Sequence, residues 1–176
     1  MYKKKSWFIP NVLILCAVVG VSAAKAGEDG KCYTEASLKG TYAVVATYGA
    51  NVALALALRQ FDGQGNLTGT FTLNEPTPGS STGARTIVTG KQVGTYAINC
   101  DGTGILTRTG TASNGVIATQ MDDFIVTKAI VKDGHLIATE LEDMQRTPSA
   151  IVAGGIFLIR HYTRLPDPPT GHESDQ

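Results

Sequence analysis

Glu140 and Glu142 are two residues apart, the spacing that puts both carboxylates on one face of a strand. If that face is the inner one and burial raises a pKa, the pair can divide the roles of acid and base. Asp123 is the third candidate carboxylate. It follows Asp122 inside an otherwise apolar segment, where a buried carboxylate demands a partner and a bulge would instead turn one of the two to solvent. His161 stands beside Arg160 near the end of the last apolar segment, whereas His135 follows an Asp133-Gly134 turn and His172 lies in a Pro-rich tail. Glu140, Glu142, Asp123 and His161 are therefore the catalytic candidates, for general acid–base chemistry on a small molecule. On a solvated wall the same side chains have no such role.

Arg59 and Arg160 each end an apolar segment. Should those ends meet at one mouth of the fold, the two guanidiniums can hold a ligand carboxylate bidentately; snorkelling to solvent is the competing reading. No combination of His, Cys and carboxylates has the spacing of a zinc site, so no metal is expected. Gly63-Gln64-Gly65 joins two strand-like segments, while phosphate-binding glycines must open a helix, so no cofactor is expected either.

The compartment comes from the ends of the chain. Lys3, Lys4 and Lys5 precede an apolar run from Val12 to Val21, and Ala24-Lys25-Ala26 is a small-x-small cleavage site. That is the layout of a secretory signal peptide over residues 1–26, with an apolar run too short to span a bilayer. Cleavage leaves 150 of the 176 residues, with 11 basic against 15 acidic side chains. A mildly acidic chain without a Lys/Arg cluster offers little to a phosphate backbone, so nucleic acid is not an expected partner. Of the 3 cysteines, Cys16 leaves with the leader. Cys32 and Cys100 then remain, and two cysteines in an exported protein most often pair. The expected location is periplasmic or extracellular.

The rest of the chain must position these groups, and it reads as strands and tight turns. Short β-type segments alternate with Gly, Asp and Asn punctuation: 40–48, 51–61, 67–73, 85–89, 92–99, 104–109, 116–131, 135–141 and 151–162. Residues 116–131 are long enough to contain a bend, and Glu140 to Thr147 has room for one short helical turn. Hairpin-length links join the segments, apart from one longer loop at 74–84. Together they predict an all-β domain over 27–164, an antiparallel up-and-down barrel of about eight strands, with a β-sandwich as the alternative. Closure is favoured because it removes edge strands. The tail from Leu165 to Gln176, rich in proline, is expected to be disordered.

One strand shows what the interior holds. In Asn51–Arg59 the large residues Val52, Leu54, Leu56 and Leu58 point one way, and Ala53, Ala55 and Ala57 the other. Both faces are apolar, as they are in 151–159, which contains Gly154. Either the leucines face inward under an outer cover, or the small residues line a cavity and the leucines meet another subunit. On the second reading Ala53, Ala55, Ala57, Arg59, Gly154 and Arg160 form a ligand site inside the barrel, and the Val52–Leu58 strand joins a homo-oligomer.

Three motifs carry a resemblance. Cys32 precedes Leu38-Lys39-Gly40-Thr41-Tyr42; Phe61-Asp62-Gly63-Gln64-Gly65-Asn66 is followed by Gly69-Thr70; Gly94-Thr95-Tyr96 leads to Cys100-Asp101-Gly102-Thr103. In these the chain resembles a group of small exported bacterial proteins of mostly unassigned function, whose architecture is similar to the allene oxide cyclase and dirigent-like barrels. The resemblance implies an oligomeric barrel that positions an apolar molecule. None of those barrels' catalytic residues maps onto this chain. Leu67 to Phe71 also looks like a strand of the biotin-binding barrels, but their ligand-site tryptophans are missing, since the only Trp is Trp7. The expected function is thus binding of a small apolar molecule. A cyclase or isomerase is the first alternative, and a filled structural or surface-interaction barrel the second.

Overall fold

The computed structural model describes residues 32–48, 53–147 and 158–167; the leader at 1–26, Asn51, Val52, Gly154 and the tail from Pro168 lie outside them. Eight strands follow a short 3-10 turn at Glu35–Leu38: β1 Gly40–Thr47, β2 Leu54–Phe61, β3 Asn66–Pro76, β4 Arg85–Ile98, β5 Thr103–Ala112, β6 Ile117–Lys132, β7 His135–Gln145 and β8 Ile159–Arg164. Each pairs antiparallel with the next, and β8 pairs with β1, so the sheet closes as an up-and-down barrel. The barrel expected from the sequence is the architecture found, and the sandwich alternative is not.

Several expectations shift in detail. Segments 85–89 and 92–99 are one strand, β4, because Gly90 is extended and clears space for a side chain instead of turning. A Cβ at Gly90 would meet the Phe71 ring at 2.3 Å, so the glycine serves inward packing. The helical turn anticipated in 140–147 is absent; β7 stays extended through Gln145, which keeps Leu141, Asp143 and Gln145 buried on one face. The bend expected in the long strand is real: the β6–β7 register shifts between Val126 and Lys128.

Strand alternation fixes which side chains fill the interior. Tyr42, Phe61, Leu67, Tyr96, Leu106, Phe124, Leu141 and Tyr162 form the core of one end. Phe61 meets Tyr42 and Tyr96 edge to face, with ring centroids 5.3 and 5.0 Å apart. The 3-10 turn caps this end with fully buried Leu38. Tyr96 fastens it: its hydroxyl donates to the Glu35 carbonyl at 3.0 Å and accepts from the Gly63 amide at 3.0 Å. A disulfide between Cys32 and Cys100, with Cα atoms 4.4 Å apart, ties the cap to the β4–β5 turn. The other end is lighter, with Ala53, Leu73, Val88 and Ala112 as its buried apolar cluster.

Tyr42 provides a test of this packing. It is fully buried, and its hydroxyl donates to the Ala138 carbonyl at 2.8 Å. Burial pushes the phenol well above its ordinary pKa. An unfolded tyrosine ionises near pH 10 while the folded one keeps its proton, so stability falls as pH rises above about 10. Tyr42→Phe is expected to cost about 1 kcal/mol at neutral pH and to flatten that alkaline loss. Urea midpoints measured at neutral and alkaline pH check both.

Candidate functional site

Between the two apolar clusters the barrel interior is charged. Arg59, Arg108, Arg160, Asp122, Asp143, Gln92, Gln120 and Gln145 are all buried. Each occupies an inward position of its strand: Arg59 lies between Ala57 and Phe61 on β2, Asp122 between Gln120 and Phe124 on β6, and Asp143 between Leu141 and Gln145 on β7. An isolated charge at such depth costs several kcal/mol, so these groups are viable only as a network.

Arg160 is its hub. The Arg160 Nε is 2.8 and 3.0 Å from the two oxygens of Asp143, and its Nη2 contacts Asp122 Oδ1. Arg108 Nε donates to Asp122 Oδ2 at 3.1 Å, and Arg59 Nη1 reaches Asp143 Oδ2 at 3.5 Å. The Tyr162 hydroxyl donates to the same Asp143 oxygen, and the Arg59 guanidinium lies 5.0 Å from the Tyr162 ring centroid. Burial opposes all of these charges. It raises the Asp143 carboxyl, against the pull of Arg160 and Arg59. Although burial also works against the Arg160 guanidinium, Asp143 and Asp122 hold its pKa above the ordinary value. Arg59 is pulled well below its ordinary value by burial and then by repulsion from Arg108 and Arg160. Its one carboxylate contact is the longest in the network.

A cavity of about 40 Å³ adjoins the network. The pairing register explains it. Arg59 is opposite Gly69, Gly69 opposite Gln92, Gln92 opposite Gly110, and Gly110 opposite Ala118. Three of these five inward positions carry at most one side-chain carbon. At Gly69 the Leu58 carbonyl and the Gln92 amide fill the room a Cβ would need, whereas the wall at Gly110 and Ala118 lines the cavity. A Cβ built on Gly110 meets nothing closer than 3.6 Å. Ala46, Ala55, Ala57, Tyr48, Phe71 and Leu73 supply the apolar part of the lining. Among the described residues several donors here have no partner: Arg59 Nε, Gln92 Nε2 and Gln120 Nε2, together with both polar atoms of the Gln145 side chain.

The sequence-predicted residues separate into two groups. Ala53, Ala55 and Ala57 face inward, with Ala53 1% exposed, while Leu56 on the other face is 63% exposed. The small residues therefore line the interior and the leucines form the outer wall. Arg59 and Arg160 do come together, but not as a free clamp at a mouth. They are buried and already share Asp143, because the strand ends that carry them continue past them by one or more inward residues. Glu140, Glu142, Asp123 and His161 are on the outer wall. Glu140 accepts from Lys128 Nζ at 3.2 Å, Asp123 from Arg146 Nε at 2.7 Å, and His161 Nδ1 is 3.6 Å from Glu142. The Asp122-Asp123 pair needs no bulge; plain alternation sends Asp122 in and Asp123 out.

Asp143, Arg108 and the three glutamines were not foreseen, and Asp122 only as a carboxylate that needs a partner if buried. Where a strand carries an inward aromatic, a polar residue two or four positions away shares its phase, as Gln92 does with Tyr96 and Asp122 with Phe124. The strands β5 and β7 carry no aromatic, so Arg108, Asp143 and Gln145 had no such signal. Among the described residues no group of three or more His, Cys, Asp and Glu could hold a metal ion. Compared with family models, curated proteins and solved structures, the chain matches none.

Proposed function

We propose that this protein binds a small, predominantly apolar molecule inside its barrel, at the end opposite the cap. The observation that carries this reading is the cavity itself. An eight-stranded barrel has room for its own side chains or for one small ligand, and here the Gly110 and Ala118 positions leave part of the wall unfilled beside Tyr48, Phe71 and Leu73. At about 40 Å³ the space takes a group of a few atoms, so the remainder of a larger ligand displaces those apolar side chains. Mass spectrometry of an organic extract of the natively expressed protein is expected to show a stoichiometric small molecule. A Gly110→Leu variant, which fills the belt, is expected to lose it. Recovery from both proteins alike would refute interior binding.

The Cys32–Cys100 bridge and the leader-like residues 1–26 support export to an oxidising compartment. The outer wall supports a homo-oligomer: Val45, Leu54, Leu56, Leu58 and Ile159 are all about half exposed or more on three adjoining strands. Light scattering is expected to find an assembly that Leu56→Lys dissociates; a monomeric parent would end this reading.

A further inference from the structure

We infer that the interior ligand carries one negative charge, as a carboxylate, and that this group is seated on Arg59, Gln92 and Gln120. The inference rests on the proposed interior binding and specifies the chemistry of the molecule bound. Charge balance is the first ground. Among the described residues three buried arginines face two buried aspartates, which leaves one positive charge unmatched there. The excess falls on Arg59, whose only carboxylate contact, to Asp143, is 3.5 Å long, while Arg160 and Arg108 hold closer partners. Burial and the two neighbouring arginines press on the Arg59 charge, and an anion beside it relieves that repulsion.

Hydrogen-bond polarity is the second ground. The unpartnered atoms of the residues lining the cavity are donors: Arg59 Nε, Gln92 Nε2 and Gln120 Nε2. All three residues are at least nine-tenths buried. Asp122, Asp143 and Arg160 are not part of this set, because their ion pairs already occupy them. Water would satisfy the donors but would leave the charge. A dianion such as phosphate would reverse the imbalance in place of cancelling it. A carboxylate supplies one charge and two acceptor oxygens, and its size suits a space of about 40 Å³. Its apolar body then lies against Ala55, Phe71 and Leu73.

Calorimetric titration with hexanoate, hexanol, acetate and hexylamine separates the two readings. Hexanoate is expected to bind at least about tenfold more tightly than hexanol, the difference a charge-assisted hydrogen bond makes, and hexylamine not at all. Equal affinity for hexanoate and hexanol overturns the carboxylate inference and leaves interior apolar binding standing. Equal affinity for acetate and hexanoate keeps the charge and overturns the apolar reading. Binding of none of the four overturns both. Gln92→Leu removes an unpartnered donor, so it is expected to remain folded by circular dichroism. It should weaken hexanoate about tenfold while leaving hexanol unchanged; unchanged hexanoate binding overturns the placement.

Discussion

Replacing Arg160 by methionine is expected to lower the unfolding free energy by about 3–5 kcal/mol at neutral pH, the range for breaking one member of a buried ion-pair network. Arg160 touches both interior carboxylates. Without it Asp143 keeps only the longer contact to Arg59 and the Tyr162 hydroxyl, and Asp122 keeps only Arg108. Methionine fills much of the volume, so the loss is mainly electrostatic. That origin makes the deficit depend on pH with a definite sign. Burial already raises the Asp143 carboxyl, and removing its principal cation raises it further. A carboxyl whose folded pKa lies above its unfolded value favours the folded state at acid pH and loses that advantage as pH rises through the folded pKa. The variant should therefore approach the parent's stability as pH is lowered. Urea unfolding of both proteins from acid to neutral pH measures the difference; a gap constant with pH would mean lost packing instead.

The second large effect concerns the cap. The double variant Cys32→Ser, Cys100→Ser opens a bridge between cysteines 68 positions apart, which in the chain-entropy model costs about 4 kcal/mol. For a chain of this size that lowers the unfolding temperature by on the order of 10 °C. The loss should be local in its first signs. Leu38 and the Lys39 amide, which donates to the Ala36 carbonyl, belong to the 3-10 turn that the bridge holds down. Their protection in hydrogen exchange should fall before that of the strands. A reducing agent added to the parent should reproduce the same result, and unchanged exchange at Lys39 would show that Tyr96 alone retains the cap.

Much of this fold was legible. Hairpin-length links and period-2 segments gave the strand order, and export chemistry gave the bridge. The Ala-Leu strand posed the right question about facing, and Phe61 at its end already held the answer, since its aromatic ring belongs inside and shares the alanines' phase. What stayed hidden were contacts between strands distant in sequence. Asp143 is 84 residues from Arg59, and nothing local to either announces the other. Glu140 and Glu142 drew attention because two carboxylates at one spacing look like catalysis. They lie on the outward phase of β7, one step out of register with Asp143. Gly110 drew no attention in the sequence, and only its pairing opposite Gln92 and Ala118 shows that it leaves part of the inner wall unfilled.

The ladder between β8 and β1 has a consequence for how the chain comes together. Arg160 and Tyr162, which ion-pair and hydrogen-bond with Asp143, arrive on β8, after the other seven strands of the barrel have been made. Until then Asp122 and Asp143 have only Arg108 and Arg59, and the sheet has two open edges. A nascent chain ending before β8 lacks a closed wall and the cation that touches both buried carboxylates. Closure of the barrel and completion of its interior ion-pair network are therefore one event, the docking of β8 between β7 and β1.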